Sequence, residues 1–271
     1  MNLVIGNTSQ QSFYYPDSYI RISSRNIDFD FLKSNHFDSV YITFAEQRVY
    51  EKNINFIEPN YLKTIDTINS IIDKSNKIVI FTTCELWSNK TGKISIDTEL
   101  DFNLNNRYAI SKMLLWDEIK RLRLLDSKYN KVVIVHPFNF ISTHRSKYFL
   151  FGKIFDSIVN RKRITVNDLD VYRDIIHTKF LVDRVIEAGE DIIIGSGYYT
   201  NIKKFIIDLY DYFNLDFNEL VSEDRAAVSS DKPIRADVSW NYSYDDLLSD
   251  TIIDIENFKA KQLESASSRS F

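Results

Sequence analysis

Short runs of aliphatic and β-branched residues recur along the chain at positions 3–5, 39–43, 77–81, 132–136 and 191–194, each followed by turn-like or helix-like sequence. Their side chains are apolar at consecutive positions, the pattern of strands covered on both faces, as in a parallel sheet. Between these runs, Tyr61, Ile65, Ile68 and Ile72 keep the three- and four-residue spacing of one helix face, as do Met113, Trp116, Ile119 and Leu122. The alternation predicts an α/β fold built on a doubly wound parallel sheet. After Gly195 the pattern turns mostly helical and tyrosine-rich, which predicts a small, mostly helical C-terminal lobe over the strand ends. Residues 1–190 are then expected to form the main domain, with 140–177 contributing to a substrate cleft, and 191–271 to supply the last strand and the lobe. Residues 264–271 are small and polar and read as a frayed end.

Composition narrows the function classes. The 271 residues are 44% hydrophobic and 14% aromatic, enough to build one large domain or two closely joined ones. Six glycines and four prolines leave no linker between independent domains, and no internal repeat is found. A formal net charge of -4, from 34 basic and 38 acidic residues, provides no global positive field for nucleic acid or an anionic membrane. Any anionic ligand must be held by a local cluster. Cys84 is the single cysteine and cannot form an internal disulfide, and the N-terminus lacks the basic start and long apolar run of a secretory signal. A reducing cytoplasm is the expected setting. No apolar stretch reaches the roughly 18 to 20 residues of a membrane span.

The first strand runs into Gly6-Asn7-Thr8-Ser9-Gln10-Gln11-Ser12, the place where a dinucleotide fold needs a glycine-rich turn and the N-terminus of a helix to meet a pyrophosphate. Only the first glycine of such a loop is present. Few residues then separate Gly6 from the next expected strand, 18–22, which is short for a full crossover helix. Either the helix is abbreviated or the site is remodelled.

Further along, five segments in order resemble the extended short-chain dehydrogenase/reductase superfamily, the NAD-dependent epimerases, dehydratases and reductases of nucleotide sugars. They are Asp38-Ser39-Val40-Tyr41-Ile42-Thr43-Phe44-Ala45, Phe81-Thr82-Thr83-Cys84-Glu85-Leu86-Trp87, Tyr108-Ala109-Ile110-Ser111-Lys112, Pro137-Phe138-Asn139-Phe140 and Arg173-Asp174-Ile175-Ile176-His177. The match covers roughly residues 38 to 195 and is poor before them. It implies a Rossmann-like fold, a nicotinamide cofactor and a nucleoside-diphosphate sugar as ligand.

A tyrosine four residues before a lysine on a helix sets both side chains on one face. The resemblance implies that Tyr108 is the acid/base, that the Lys112 ammonium favours its phenolate and holds the nicotinamide ribose, and that Thr83 hydrogen-bonds the same substrate oxygen. Bringing a tyrosine from about 10 toward 7 requires about 4 kcal/mol of differential stabilisation. Glu85 stands where sugar dehydratases and glucuronate decarboxylases carry a carboxylate that moves a second proton or orients substrate; a solvated strand-end glutamate is the plain alternative. Gly6, Thr8, Ser9 and Ala45 would line the cofactor site. Arg21, Ser23, Ser24 and Arg25 replace the acidic residue that grips the ribose of NAD, and Ser24 with Arg25 suits the 2′-phosphate of NADP unless this is only an exposed basic turn. The cofactor is therefore NADP or NAD. Arg173, helped by Arg145, matches where the family holds the sugar nucleotide's pyrophosphate, with Asn139 beside the phosphates or sugar. His177 is expected to order its loop, and the run Arg161-Lys162-Arg163 reads as solvated surface. The histidines show no metal-ligand spacing, and Cys84 with His136 makes a poor thiol nucleophile and base.

Several departures stand against activity. The later loop glycines are missing, the arginine usual before Pro137 is His136, and Ile141-Ser142-Thr143 replaces the usual Gly-Pro. Two functions are consistent with this sequence. One is a cytoplasmic, homodimeric enzyme that transfers hydride at carbon 4 of a nucleotide sugar, for surface-polysaccharide or modified-sugar synthesis. The other is a non-catalytic sugar-nucleotide-binding or scaffold relative that has lost cofactor binding.

Overall fold

A computed structural model describes residues 1–49, 51, 53–100, 104, 106–224 and 233–267. Six parallel strands form the central sheet in the spatial order Ile192–Ile194, Val132–Pro137, Ser75–Phe81, Phe37–Ile42, Asn2–Ile5 and Ile20–Ile22. Side chains alternate between the two faces because the strand period is two. Leu3, Ile5, Val40, Ile42, Ile78, Ile80, Val132 and Ile134 enter one buried cluster, while Val4, Tyr41, Val79, Val133, Val135 and Ile194 enter the other. This two-sided burial explains the unbroken apolar runs. Helices Phe29–Ser34, Lys63–Ile71 and Arg107–Leu125 cover the first face through Leu32, Ile68, Ile71, Leu115 and Ile119. Helices Leu150–Asn160, Thr178–Glu187, Ile202–Tyr212 and Tyr244–Ser267 cover the second. The sheet is doubly wound, as its pattern predicts.

The crossover after the first strand departs from an ordinary dinucleotide fold. A single 3-10 turn, Gln10–Phe13, stands where a full helix would lie. The space beside the sheet is filled by aromatic rings, with Tyr15 and Tyr19 packed on Tyr41 at centroid distances of 4.7 and 5.9 Å. Without a helix the carbonyls of this segment need other donors. Arg21 supplies them: its Nε donates to the Ser12 carbonyl at 2.9 Å, Nη1 to Tyr19 at 3.2 Å, and Nη2 to Tyr15 at 2.6 Å and Pro16 at 3.2 Å. Arg21 is thus spent on the backbone, although the sequence groups it with the basic residues of the cofactor site.

Strand order reverses between Asn2–Ile5 and Phe37–Ile42, so a crevice opens there at the carboxyl ends, where doubly wound folds bind ligands. Gly6 sits at its lip with φ +118°, and a Cβ on it would meet the Thr43 hydroxyl at 2.7 Å and the Phe44 nitrogen at 3.0 Å. Its glycine is therefore demanded by the neighbouring strand.

Beyond Gly195 the chain pairs three times with earlier segments: Thr200–Asn201 with Tyr172–Arg173, Val221–Asp224 with Ile164–Asn167, and Ile234–Ala236 with Gly92–Ile94. The buried carboxylate of Asp174 fastens this arrangement. It accepts from the Ser196 amide at 2.6 Å and hydroxyl at 2.8 Å, the Gly197 amide at 3.0 Å and the Ala236 amide at 2.8 Å. The expected frayed end covers 264–271, of which 264–267 continue the last helix and 268–271 lie outside the described residues. No helix among the described residues is long and apolar enough to cross a membrane.

Replacing Arg21 by methionine keeps the apolar stem but strips donors from part-buried carbonyls, each worth about 1–3 kcal/mol when left unsatisfied. Urea denaturation should show a loss of about 2 kcal/mol or more. An unchanged midpoint would remove Arg21 as the substitute for the missing helix.

Candidate functional site

A cavity of about 920 Å³ lies at the carboxyl ends of the central strands. Thr83, Glu85, Tyr108, Lys112, Asn139, Arg145 and Arg173, the residues the sequence marks for catalysis and substrate, all line it. A groove of about 440 Å³ adjoins it, lined by Gly6, Thr8, Ser9, Ser24, Arg25 and Ala45. Gln11, Thr43, Phe44, Ala45, Gln47, Phe140, Arg145 and Phe149 border both spaces, so the two are parts of one cleft.

Helix Arg107–Leu125 begins at the Asn106 cap, whose side chain accepts from the Tyr108 amide at 2.9 Å. Its first turns present Tyr108 and Lys112 on the buried face. Thr83 follows the strand Ser75–Phe81 and caps the turn Cys84–Trp87, its hydroxyl oxygen accepting from the Glu85 amide at 3.2 Å. Lys112 Nζ donates to the Phe81 carbonyl at 2.8 Å, which ties the helix to the strand end.

Burial pushes the Lys112 ammonium down to about 7. Burial also pushes Tyr108 well above the ordinary phenol range; a hydrogen bond with Thr83 and the charge of Arg145 oppose the rise, while Glu85 and Cys84 add to it. The sequence-based expectation was a phenolate favoured by Lys112. Burial acts against the phenolate, and Arg145 is the cation whose charge favours it. The Cys84 thiol is likewise pushed up by burial, which opposes any nucleophilic use of it.

The remaining residues fall into place around this cluster. Asn139 Nδ2 donates to the Asp174 carbonyl at 3.1 Å, and Arg173 Nη1 to the Tyr172 carbonyl at 3.0 Å. His177 caps helix Thr178–Glu187, Nδ1 accepting from the Lys179 amide at 3.2 Å, with Nε2 3.3 Å from Asp254; this is the loop-ordering role expected of it. His136 is buried with Nδ1 2.5 Å from the Thr82 hydroxyl and its ring against Trp87, and burial pushes it down to about 4. No group of three or more histidine, cysteine, aspartate or glutamate residues that could hold a metal ion occurs among the described residues.

Three contributors were not visible in the sequence. Asn60, fully buried, accepts from the Glu46 amide at 2.7 Å through Oδ1, while Nδ2 donates to the Glu46 carbonyl at 3.0 Å and the Ser111 hydroxyl at 3.1 Å. It joins the loop after Phe37–Ile42 to the turn between Tyr108 and Lys112. Gln11 is buried at the junction of groove and cavity with its carbonyl oxygen unpartnered. Gln47 accepts from Arg145 Nη1 at 2.7 Å. Asn60 precedes the apolar spacing of Tyr61 to Ile72 and, like the two glutamines, carries no signal in the sequence.

The residues suit a nicotinamide dinucleotide with one departure. Hydroxyls of Thr8, Ser9 and Ser24 and the guanidinium of Arg25 are spread along a groove that opens beside Tyr108, and Gln11 offers an unpaired buried acceptor there. The departure is the phosphate anchor, since the helix N-terminus is missing.

No family model and no curated protein matches the sequence. Solved structures do. The dTDP-glucose 4,6-dehydratase of Streptomyces venezuelae with NAD bound is 18% identical, covers 95% of this chain and 97% of its own, and superposes with a TM-score of 0.75. The RMD protein of Pseudomonas aeruginosa complexed with NADPH gives 17%, 94% and 99%, with a TM-score of 0.73. The UDP-glucuronic acid 4-epimerase of Bacillus cereus in complex with NAD gives 15%, 94% and 96%, with 0.72. The chain therefore has the Rossmann-like fold of the NAD-dependent nucleotide-sugar epimerases and dehydratases, and at these identities the likeness is one of fold.

The depressed Lys112 gives a testable signature. Between about 7 and the ordinary lysine value the unfolded chain holds a proton that the folded chain has released, so stability rises with pH across that window. Denaturation midpoints of the parent should climb from pH 7 to 10 relative to Lys112→Met. Parallel profiles would show that Lys112 is not buried uncharged.

Proposed function

We propose that this chain is an NAD(P)-dependent enzyme of the short-chain dehydrogenase/reductase kind, an epimerase, dehydratase or reductase acting by hydride transfer at carbon 4 of a nucleoside-diphosphate sugar. The carrying observation is that Thr83, Glu85, Tyr108 and Lys112 converge in one cavity that opens into a groove at the strand switch point. Support also comes from the similar structures, which include complexes with NAD and NADPH and enzymes of UDP- and dTDP-sugars.

A bound nicotinamide would accept or return the hydride. Tyr108 exchanges the proton of the sugar's 4-oxygen, and Thr83 fixes that oxygen within hydrogen-bond reach. The protonated phenol is the form that donates to a 4-keto oxygen; taking a proton from a 4-hydroxyl requires the phenolate, which the charges of Arg145 and of a protonated Lys112 favour. Lys112 also holds the ribose of the dinucleotide, while Gly6, Thr8, Ser9 and Ala45 line its path and Ser24 with Arg25 can take a 2′-phosphate. Glu85 orients the sugar or moves a second proton. Asn139 and Arg173 hold the diphosphate of the sugar nucleotide, a planar donor fork suiting paired phosphate oxygens. The same reading makes the enzyme a cytoplasmic homodimer that serves surface-polysaccharide or modified-sugar synthesis.

The remodelled crossover is what a binding-only relative would share, and two measurements separate the readings. NAD(H) or NADP(H) at one hundred times its dissociation constant should stabilise the parent by about 2.7 kcal/mol, read as a rise in melting temperature. Tyr108→Phe should keep that rise while losing about a hundred- to ten-thousand-fold in turnover across a panel of nucleoside-diphosphate sugars. No thermal shift with either cofactor leaves the non-catalytic sugar-nucleotide-binding reading; parent-rate turnover by the variant removes Tyr108 from the chemistry.

A further inference from the structure

We propose that Arg145 anchors the pyrophosphate of the dinucleotide, replacing the helix N-terminus that this fold lacks. The inference rests on the cofactor reading above and deepens it. An ordinary dinucleotide site meets the pyrophosphate with free backbone N–H groups at the start of a crossover helix. Here the amides of Gly6 and Asn7 both donate to the Ile22 carbonyl, at 2.9 and 3.1 Å, Ser9 N donates to Gly6 at 2.9 Å, and Ser12 N donates to Ser9 at 3.0 Å. One 3-10 turn follows in place of the helix. The helix end that usually supplies the positive potential is absent.

Arg145 lies where that potential is needed, at the junction of groove and cavity. Its guanidinium stacks on Phe149 at 3.6 Å and donates to the neutral side chain of Gln47, and no carboxylate pairs with it among the described residues. A half-buried arginine that, among the described residues, donates to an uncharged amide has further donors to offer a ligand. The other arginines of the groove differ. Arg48 is gripped by Glu46 at 2.7 Å and Glu51 at 3.1 Å, and Arg25 stands exposed beside Ser24.

The backbone bearing Arg145 is also fixed against the segment that replaced the helix. His144 stacks on Phe13 with centroids 3.8 Å apart and an interplanar angle of 4°, and Gln10 Nε2 donates to the Phe140 carbonyl at 3.3 Å. On its other side, a Cβ on Gly152 would come within 2.2 Å of the Ser146 carbonyl and 2.8 Å of that of Arg145, so helix Leu150–Asn160 packs directly on this loop. The loss of the helix and the placement of the arginine are two parts of one local rearrangement. A planar fork of donors suits two adjacent phosphates as a row of amides would.

Titration calorimetry on the parent, Arg145→Gln and Arg145→Lys tests this, with NADH, NADPH, ADP-ribose, adenosine and UDP as probes. Arg145→Gln should bind NADH, NADPH and ADP-ribose about 10- to 100-fold more weakly, consistent with the loss of one charge-assisted bidentate contact. Adenosine should bind as to the parent, UDP within about twofold, and Arg145→Lys should fall between. Unchanged UDP binding also shows that the variant is folded, and an unchanged melting temperature of the ligand-free protein checks this independently. Parent-like ADP-ribose affinity in Arg145→Gln overturns the proposal and leaves the enzyme reading intact. Loss of UDP rather than ADP-ribose binding overturns it in favour of a sugar-nucleotide contact, and loss confined to NADPH in favour of a 2′-phosphate contact. A parent that binds no dinucleotide sinks both this inference and the functional reading beneath it.

Discussion

Burying a parallel sheet on both faces is the constraint from which the rest of this molecule follows. The four central strands contribute apolar side chains to two clusters at once, and every connection has to cover a face or leave it wet. Only the strand ends remain open, so polar chemistry collects there, at the point where strand order reverses. Where the first connection is too short to make a helix, the same constraint is met by Tyr15 and Tyr19 on Tyr41, with Arg21 collecting the carbonyls that a helix would have satisfied internally. The sheet is kept dry by other means, and what the substitution removes is the helix end.

Much of this could be read from the chain because strands and residue pairs on one helix face leave short-range marks. Consecutive aliphatic residues such as 77–81 and 132–136 signal two-sided burial, and Tyr108 with Lys112 declares a shared helix face by spacing alone. The residues singled out from 81 to 173 do reach one cavity, which is a matter of placement and leaves their chemical roles to experiment. Contacts between distant polar residues leave no such mark. Asn60 holds Glu46 and Ser111, and Gln47 holds Arg145, across separations that no local periodicity encodes. The same holds for Arg21: its charge pointed toward a phosphate, but its geometry serves the backbone. The upward push of burial on Tyr108 was also hidden, because spacing gives the neighbour and not the depth of burial.

The electrostatic shifts in the cavity share one cause. Tyr108 and Cys84 rise while Lys112 and Arg145 fall, because burial disfavours the charged form of each. A charge that persists among such buried groups acts more strongly than it would in water. The persistent one is Arg145, whose influence extends to the phenol and to the groove alike. A charged ligand entering the cleft would therefore shift the Tyr108 phenol as well as occupy its own site.

The four hydrogen bonds on Asp174 have a consequence for how the protein is made. They join the strand carrying Arg173 to Ser196, Gly197 and Ala236, so one wall of the cavity is assembled from stretches far apart in the order of synthesis. While the chain is still emerging from the ribosome, the sheet can collect its first five strands, yet the carboxylate waits for an amide some sixty residues later, 62 positions on in the case of Ala236. A nascent chain stopped short of Ala236 would lack both the amide that completes this cavity wall and helix Tyr244–Ser267, so the pocket and the second face of the sheet are completed together.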